Sequence, residues 1–225
     1  MESNNILEAF NRDMETAARF NIPQGEMDRF HRVACCGGVT RWLAYRTAHI
    51  CVLHDPQSMP PCGSLSLMSK YCSKLWKLYK DIGLSPLAYF CGPPGRDPLD
   101  MMRSLTVQLL QVVTRSDLSP PDEPSRFIQS IMDGGLVTVM AMFTRLSQTL
   151  PRSKKVTILI DSAYRSDHGQ SALDMRTVMQ FLDEIVRRRS ATNRGGFFKV
   201  LATNPSAWEQ RQWGLEFIQV NISYI

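Results

Sequence analysis

One aspartate stands where a metal ion could be held. The segment Val156-Thr157-Ile158-Leu159-Ile160 is apolar and rich in β-branched residues, and Asp161 ends it. Such a segment predicts a buried strand, and in a parallel sheet the ligand site lies at the carboxyl ends of the strands. The Asp161 carboxylate could hold Mg²⁺ there, directly or through water. The alternative that Asp161 only caps the loop after a buried strand remains open.

A loop near residue 60 is the second candidate, this time for phosphate. It follows a short predicted strand and precedes a helix, where the pattern G-x-x-x-x-G-K-[ST] would place backbone N–H groups and a lysine around phosphates. Aligned to that pattern without a gap, residues 58–65 keep only Gly63. Ser64 stands in place of the lysine and Leu65 in place of the Mg²⁺-binding hydroxyl, while two prolines in the loop have no N–H to donate. Ser66 offers a hydroxyl one residue late.

Two further polar residues could assist such a site, and each has an ordinary alternative. Lys70 lies further along the helix after the loop and is not an obvious replacement for the missing lysine. Asn204 follows the predicted strand that ends at Thr203 and could act as a polar sensor of the ligand. A turn-forming asparagine before Pro205 explains Asn204 equally well.

The rest of the chain supplies the elements that would position these residues. Helical spacing of apolar residues occupies much of residues 1–46, beginning with a helix over residues 3–20, and strands then alternate with helices. This alternation predicts an α/β sandwich with a mostly parallel sheet, in a domain of residues 47–225 that follows a helical appendage of residues 1–46. The predicted strands are residues 49–54, 86–91, 156–161, 197–203 and 215–220.

Several segments resemble, in chain order, the NACHT-type P-loop module of STAND NTPases, and specifically the nephrocystin-3-like N-terminal domain of fungal NLR-like proteins. The resemblance covers roughly residues 39–222 and implies a P-loop NTPase-like three-layer sandwich whose five strands have the order 5-1-4-3-2. The matching segments are Val39-Thr40-Arg41-Trp42-Leu43 before the first strand, residues 63–71 at the phosphate loop and its helix, Leu87-Ala88-Tyr89-Phe90-Cys91 with residues 101–110, Ile158-Leu159-Ile160-Asp161 as the Walker B strand, and Lys199-Val200-Leu201-Ala202-Thr203 as the sensor strand.

The resemblance also assigns roles to residues around a nucleotide. Mg-ATP or Mg-GTP would be the candidate ligand, with Asp161 as the Mg²⁺ ligand and Asn204 as the sensor-like residue. Gly63, Ser64 and Ser66 would form a degenerate phosphate loop. No catalytic residue can be assigned.

The sequence departs from this family where catalysis would occur. The Walker B strand of the family is followed by an Asp-Glu pair, whereas Tyr164 and Arg165 stand at those positions here. Asp167 is displaced by two residues, and the arginine that the family carries after the sensor strand is absent. The resemblance therefore implies a module without hydrolysis, although an enzyme with an atypical phosphate loop remains the alternative.

Other chemistries find weaker support in the sequence. Strand alternation would put His49 and Cys51 on one face and His54 on the other, which does not favour a shared metal ion. A nucleophilic thiol at Cys62 or Cys91 would need a histidine and an acid beside it. The basic cluster of residues 187–189 is typical of a helix C-terminus.

Charge and apolar run lengths indicate where the protein is located and which classes of partner it contacts. Lysine and arginine number 26 against 21 acidic residues, a small excess that does not indicate a nucleic-acid-binding domain. The longest nearly apolar run, residues 136–143, is far shorter than the roughly 20 residues that cross a bilayer. The polar start carries no pattern of a signal peptide. We therefore expect a cytoplasmic protein that contacts other proteins or itself, and not membranes or nucleic acid.

These observations favour a degenerate NACHT-type module with weak or no nucleotide binding that acts in protein interaction or assembly. The alternative is a functional ATP- or GTP-binding STAND NTPase that uses Asp161, Ser66 and Lys70 in place of the usual groups. The sequence ends soon after the fifth predicted strand, without the winged-helix and repeat regions of such switches. A fragment, a truncated product and a stand-alone remnant all remain open.

Overall fold

The helices and strands follow one another as the sequence pattern predicts. The computed structural model describes residues 2–44, 50–54, 65–91, 96–114, 124–151, 153–161, 163, 169–191, 197–203 and 218–221. Its elements are α1 (Glu2–Arg19), a 3-10 turn (Gln24–Glu26), α2 (Met27–Cys35), α3 (Gly37–Ala44), β1 (Ile50–His54), α4 (Leu67–Asp81), β2 (Ser85–Phe90), α5 (Pro98–Thr114), α6 (Pro124–Asp133), α7 (Leu136–Thr149), β3 (Lys155–Asp161), α8 (Gly169–Ala191), β4 (Phe197–Thr203) and β5 (Ile218–Asn221).

The strands form one sheet in which every described pair is parallel. Its order is β2-β3-β4-β1-β5, which is 5-1-4-3-2 when it is followed from the β5 edge. The α/β architecture with a parallel sheet, predicted from the alternation of elements, is confirmed. The short strand β5 pairs only with β1, from Cys51 opposite Ile218 to His54 opposite Asn221. Because β3 and β4 are parallel neighbours, with Ile160 opposite Ala202, the last residues of both strands lie side by side at the carboxyl end of the sheet.

Helices cover both faces of the sheet. Alternate residues of each strand enter opposite cores, because successive side chains of a strand point to opposite faces. In β3, Ile158 and Ile160 belong to the core formed with α5, α6, α7 and α8, whereas Leu159 belongs to the core formed with α1, α2, α3 and α4. Strands buried on both faces explain why β3 and β4 are nearly continuous apolar runs. Within the described residues, no helix is long and apolar enough to cross a membrane.

The edge strand β2 is covered rather than left open. Gln108 of α5 accepts a hydrogen bond from the Ala88 N–H at 3.0 Å and donates to the Ala88 carbonyl at 2.8 Å. Helix α1 also packs against β2. Unpaired edge strands invite pairing with other chains, so these contacts protect this edge of the sheet.

Two cationic side chains, Lys70 of α4 and Arg96 before α5, bind helix α1. Lys70 Nζ donates to the main-chain oxygens of Ala18 at 3.0 Å and Phe20 at 2.5 Å, where the helix ends. Arg96 forms a 2.6 Å ion pair with Asp13 that is largely buried. The amphipathic N-terminal helix therefore packs on α4, α5 and β2. The division of the chain into a unit of residues 1–46 and a unit of residues 47–225 remains a prediction.

Replacing Lys70 by methionine is expected to loosen the end of α1. The change removes a cation that binds the last carbonyls of a helix, an interaction worth about 1–2 kcal/mol in a partly buried position. Amide hydrogen exchange at residues 15–20 should accelerate, and the free energy of unfolding should fall by about that amount. The Lys77→Met variant is the matched control, since Lys77 is exposed on the same helix. Equal exchange in both variants would contradict the assigned role of Lys70.

Candidate functional site

The candidate site lies where β3 and β4 end and α4 begins. Asp161 is the last residue of β3, and Thr203 is the last residue of β4. Helix α4 starts beside them with Ser66 as its N-cap. This is the edge at which open parallel sheets bind ligands.

The first turn of α4 is closed by two serine side chains. Ser66 Oγ accepts a hydrogen bond from the Ser69 N–H at 3.2 Å, and Ser69 Oγ accepts one from the Ser66 N–H at 3.0 Å. This is a reciprocal capping box, which satisfies two amide donors that a helix start otherwise leaves unpaired. In a phosphate site, N–H groups of this kind point at the ligand. Here at least two of them are already engaged by side chains.

The Asp161 carboxylate accepts hydrogen bonds on both of its oxygens. Ser69 Oγ donates to Oδ2 at 2.6 Å, and Thr203 Oγ1 donates to Oδ1 at 2.9 Å. The side chain of Asp161 has no exposed surface. Hydrogen bonds to an ionised carboxylate are stronger than neutral ones. Asp161 therefore connects helix α4 to the neighbouring strands β3 and β4.

The same environment makes the neighbouring thiol of Cys72 unreactive. Burial raises the pKa of Cys72 well above its ordinary value, and the negative charge of Asp161 raises it further. Burial, together with Cys36, likewise raises the pKa of Cys51 to about 12. The thiolate is the nucleophilic form of cysteine, so these two thiols stay protonated at neutral pH.

The structure describes only two of the predicted site residues, Ser66 and Asp161. Gly63, Ser64 and Asn204 lie outside the described residues, so their roles stay predictions. Ser66 lies at the site, but its side chain contacts Ser69 and not Asp161. Asp161 occupies the expected strand end and is fully buried.

Two residues of the site were missed from the sequence. Ser69 and Thr203 are the hydroxyl partners of Asp161, at 92 and 42 positions along the chain from it. The spacing of Ser66 and Ser69 matches a capping box and could have suggested that α4 begins there. Adjacency of β3 and β4 would then have placed Thr203 beside Asp161.

Lys70 was considered as a replacement for the missing phosphate-binding lysine, and that interpretation is not supported. Its ammonium group is bound to the end of α1, as described above. For the described residues, no group of three or more histidine, cysteine, aspartate or glutamate side chains could hold a metal ion. Of the three residues considered for a shared metal, Cys51 is buried, while the side chains of His49 and His54 lie outside the described part.

Comparisons with known proteins identify the fold but not a family. No protein-family model and no curated protein matches the sequence. Among solved structures, the chain is similar to the ORC2 protein of Aeropyrum pernix in its ADPNP–ADP complexes, with a TM-score of 0.50, 9% identity, and coverage of 92% of this chain and 50% of that one. The ADP form of the same protein gives a TM-score of 0.43, 10% identity, and coverage of 92% and 51%.

This likeness establishes a P-loop NTPase-like fold. The chain spans about half the length of the solved chains it matches. A sequence identity of 9% supports a similar fold and nothing more. The ligand and the partners of this chain therefore have to be argued from its own residues.

Proposed function

We propose that this chain is a degenerate NACHT-type P-loop module that binds nucleotide weakly or not at all, does not hydrolyse it, and acts through contacts with other proteins or with further copies of itself. The nephrocystin-3-like N-terminal domain is the specific type that its segments resemble. A cytoplasmic location agrees with this role and is proposed with it.

The main support for the proposal is the Asp161 carboxylate, because both of its oxygens already accept hydrogen bonds. A Mg²⁺ ligand needs an oxygen that the hydrated ion can approach, since Mg²⁺ loses its water reluctantly. Both oxygens of Asp161 instead accept hydrogen bonds from Ser69 and Thr203, and the side chain has no exposed surface. Metal binding would require this buried network to open.

The start of α4 supports the same conclusion from the phosphate side. The capping box engages the amides of Ser66 and Ser69, and the sequence has Ser64 where a phosphate-binding lysine would stand. The positive end of a helix attracts phosphate mainly through its unpaired N–H groups. Fewer such donors and no adjacent lysine leave little to bind a triphosphate.

The surface offers apolar side chains for protein contacts. Leu78 in the last turn of α4 and Ile82, the residue that follows the helix, are exposed by 51% and 61%. Val137 on α7 and Leu173 on α8 are exposed as well. Burial of such side chains drives association between proteins.

Calorimetric titration with Mg-ATP and Mg-GTP tests the absence of a nucleotide site. We expect no binding up to millimolar nucleotide, in the wild-type chain and in Asp161→Asn alike, because the loop sequence has Ser64 in place of the phosphate-binding lysine and both oxygens of Asp161 accept hydrogen bonds. Circular dichroism on the same samples establishes that both proteins are folded. Micromolar binding that Asp161→Asn abolishes would instead support a functional NTPase with an atypical loop.

The assembly role has a separate readout. Light scattering over a range of protein concentrations measures self-association, and the proposal expects Mg-ATP to leave the measured mass unchanged. Replacing Leu78 and Ile82 by serine should weaken any association that the wild-type chain shows. A mass that changes on addition of nucleotide would contradict the degenerate module.

A further inference from the structure

A cleft lies at the opposite end of the sheet from Asp161. Helix α1, helix α4, the first residues of β2 and helix α5 enclose a volume of about 460 Å³, here called the α1 cleft. Its position at Ser85, where β2 begins, separates it from the carboxyl ends of the strands. Pockets for small organic ligands have volumes of about 300–1,000 Å³. The α1 cleft is therefore large enough for one small molecule.

The lining of the α1 cleft combines apolar side chains with hydrogen-bond donors, two of which are positively charged lysines. Leu7 and Phe10 of α1 line one side, while Lys80, Gln111 and Lys154 bring polar groups from three other segments. No acidic residue lines the cleft among the residues that the structure describes. Within that same part of the chain, neither lysine forms an ion pair with a carboxylate. The cleft thus has uncompensated positive charge.

Trp76 adds an aromatic surface to the α1 cleft. Its indole ring lies edge-to-face with Phe10 at 5.8 Å, and the Lys80 ammonium group lies 4.6 Å from the ring centre. The Trp76 ring extends the apolar wall that Leu7 and Phe10 form.

We propose that the α1 cleft binds a small organic anion with a flat apolar body, of the aromatic carboxylate class. The ring would pack against Leu7, Phe10 and the ring of Trp76, and the carboxylate would accept hydrogen bonds from Lys80 and Lys154. This site is separate from the candidate nucleotide site around Asp161, and it goes beyond the proposed function. The ligand would also bridge α1 to the sheet, because residues of both line the cleft.

Calorimetry with a matched pair of probes tests the proposal. 2-Naphthoate carries the ring and the charge, whereas 2-naphthamide has the same ring without the charge. We expect 2-naphthoate to bind and the amide to bind about tenfold more weakly, a difference of about 1.4 kcal/mol. Absence of 2-naphthoate binding at millimolar concentration, or equal affinity for both probes, would overturn the proposal.

Variants locate the binding. Lys80→Met and Lys154→Met should each weaken 2-naphthoate by about fivefold to tenfold and leave the amide unchanged, since each removes one cation. Lys77→Met, on the exposed side of α4, should leave both affinities unchanged. Unchanged 2-naphthoate affinity in both cleft variants would show that the probe binds elsewhere, and the proposal would fall.

Discussion

Replacing Asp161 by alanine is expected to lower the free energy of unfolding by about 3–4 kcal/mol, because two hydrogen bonds to a charged acceptor are lost at once. The hydroxyls of Ser69 and Thr203 would each lose the hydrogen bond to Asp161. Urea unfolding followed by circular dichroism measures the change. The Asp81→Ala variant is the control, since Asp81 is exposed at the end of α4 and its loss should cost less than about 0.5 kcal/mol.

A double-mutant cycle shows whether the loss arises from the network itself. Ser69→Ala and Thr203→Val each remove one donor, so each should cost less than Asp161→Ala. Combining Ser69→Ala with Asp161→Ala should then cost less than the sum, by about 1 kcal/mol or more, as is usual for residues in one hydrogen-bond network. Strict additivity, or a loss below about 1 kcal/mol for Asp161→Ala, would mean that the carboxylate is not held by these hydroxyls.

The result also bears on the degenerate-module proposal. A carboxylate that stabilises the fold through both oxygens has to break those bonds before it can bind Mg²⁺. Ligands that bind only the native state raise its stability. Addition of Mg²⁺ with ATP should accordingly leave the urea midpoint of the wild-type chain unchanged, in agreement with the calorimetric experiment.

The strands could be predicted because burial on both faces leaves a strong sequence signal. The apolar run that ends at Asp161 is typical of a strand in a parallel sheet, and β3 was placed to within one residue. The last strand was predicted over residues 215–220. Residues 218–220 of that range lie in β5 (Ile218–Asn221), which pairs with β1, and residues 215–217 lie outside the described part of the chain.

Glycines mark two helix boundaries in the structure. Gly83, two residues after the end of α4, adopts a φ of 77°, a left-handed conformation that favours glycine. Gly134 and Gly135 separate α6 from α7. A Cβ atom at Gly134 would approach the Ser130 carbonyl oxygen to 2.6 Å, so that position requires glycine.

The partners of the site were harder to predict, because they depend on tertiary contacts. Ser69 meets Asp161 across 92 positions of sequence, and no local spacing encodes that distance. Lys70 is adjacent to Ser69 on the helix but points to the end of α1. Sequence spacing placed both near the phosphate loop, and only the packing of α1 against α4 distinguishes their roles.

Lys199 should make the stability of this fold depend on alkaline pH. The lysine is 1% exposed in β4, and its ammonium group donates to the carbonyls of Trp42 at 2.7 Å and Leu43 at 3.0 Å, at the end of α3. Burial, and secondarily the charge of Lys155, lower the pKa of Lys199 from its ordinary 10.5 to about 8. Between these two values the unfolded chain binds the proton more tightly, so stability rises with pH.

Comparison with Lys199→Met isolates this contribution. Raised pKa values of buried groups such as Cys51 and Tyr79 act in the opposite direction as pH increases, but they are common to both proteins. The stability of the wild type relative to the variant should therefore increase by about 2–3 kcal/mol between pH 8 and pH 10. Well below pH 8 the difference should be constant, since Lys199 is then charged in both states.

Unfolding in urea at several pH values measures the effect, with Lys77→Met as the exposed control. For that control, the difference from wild type should stay constant across the range. A constant difference for Lys199→Met as well would show that the folded and unfolded states bind this proton equally. In that case the two carbonyls of α3 would have to stabilise the ammonium form as well as water does, and the fastening of α3 to the sheet would be independent of pH.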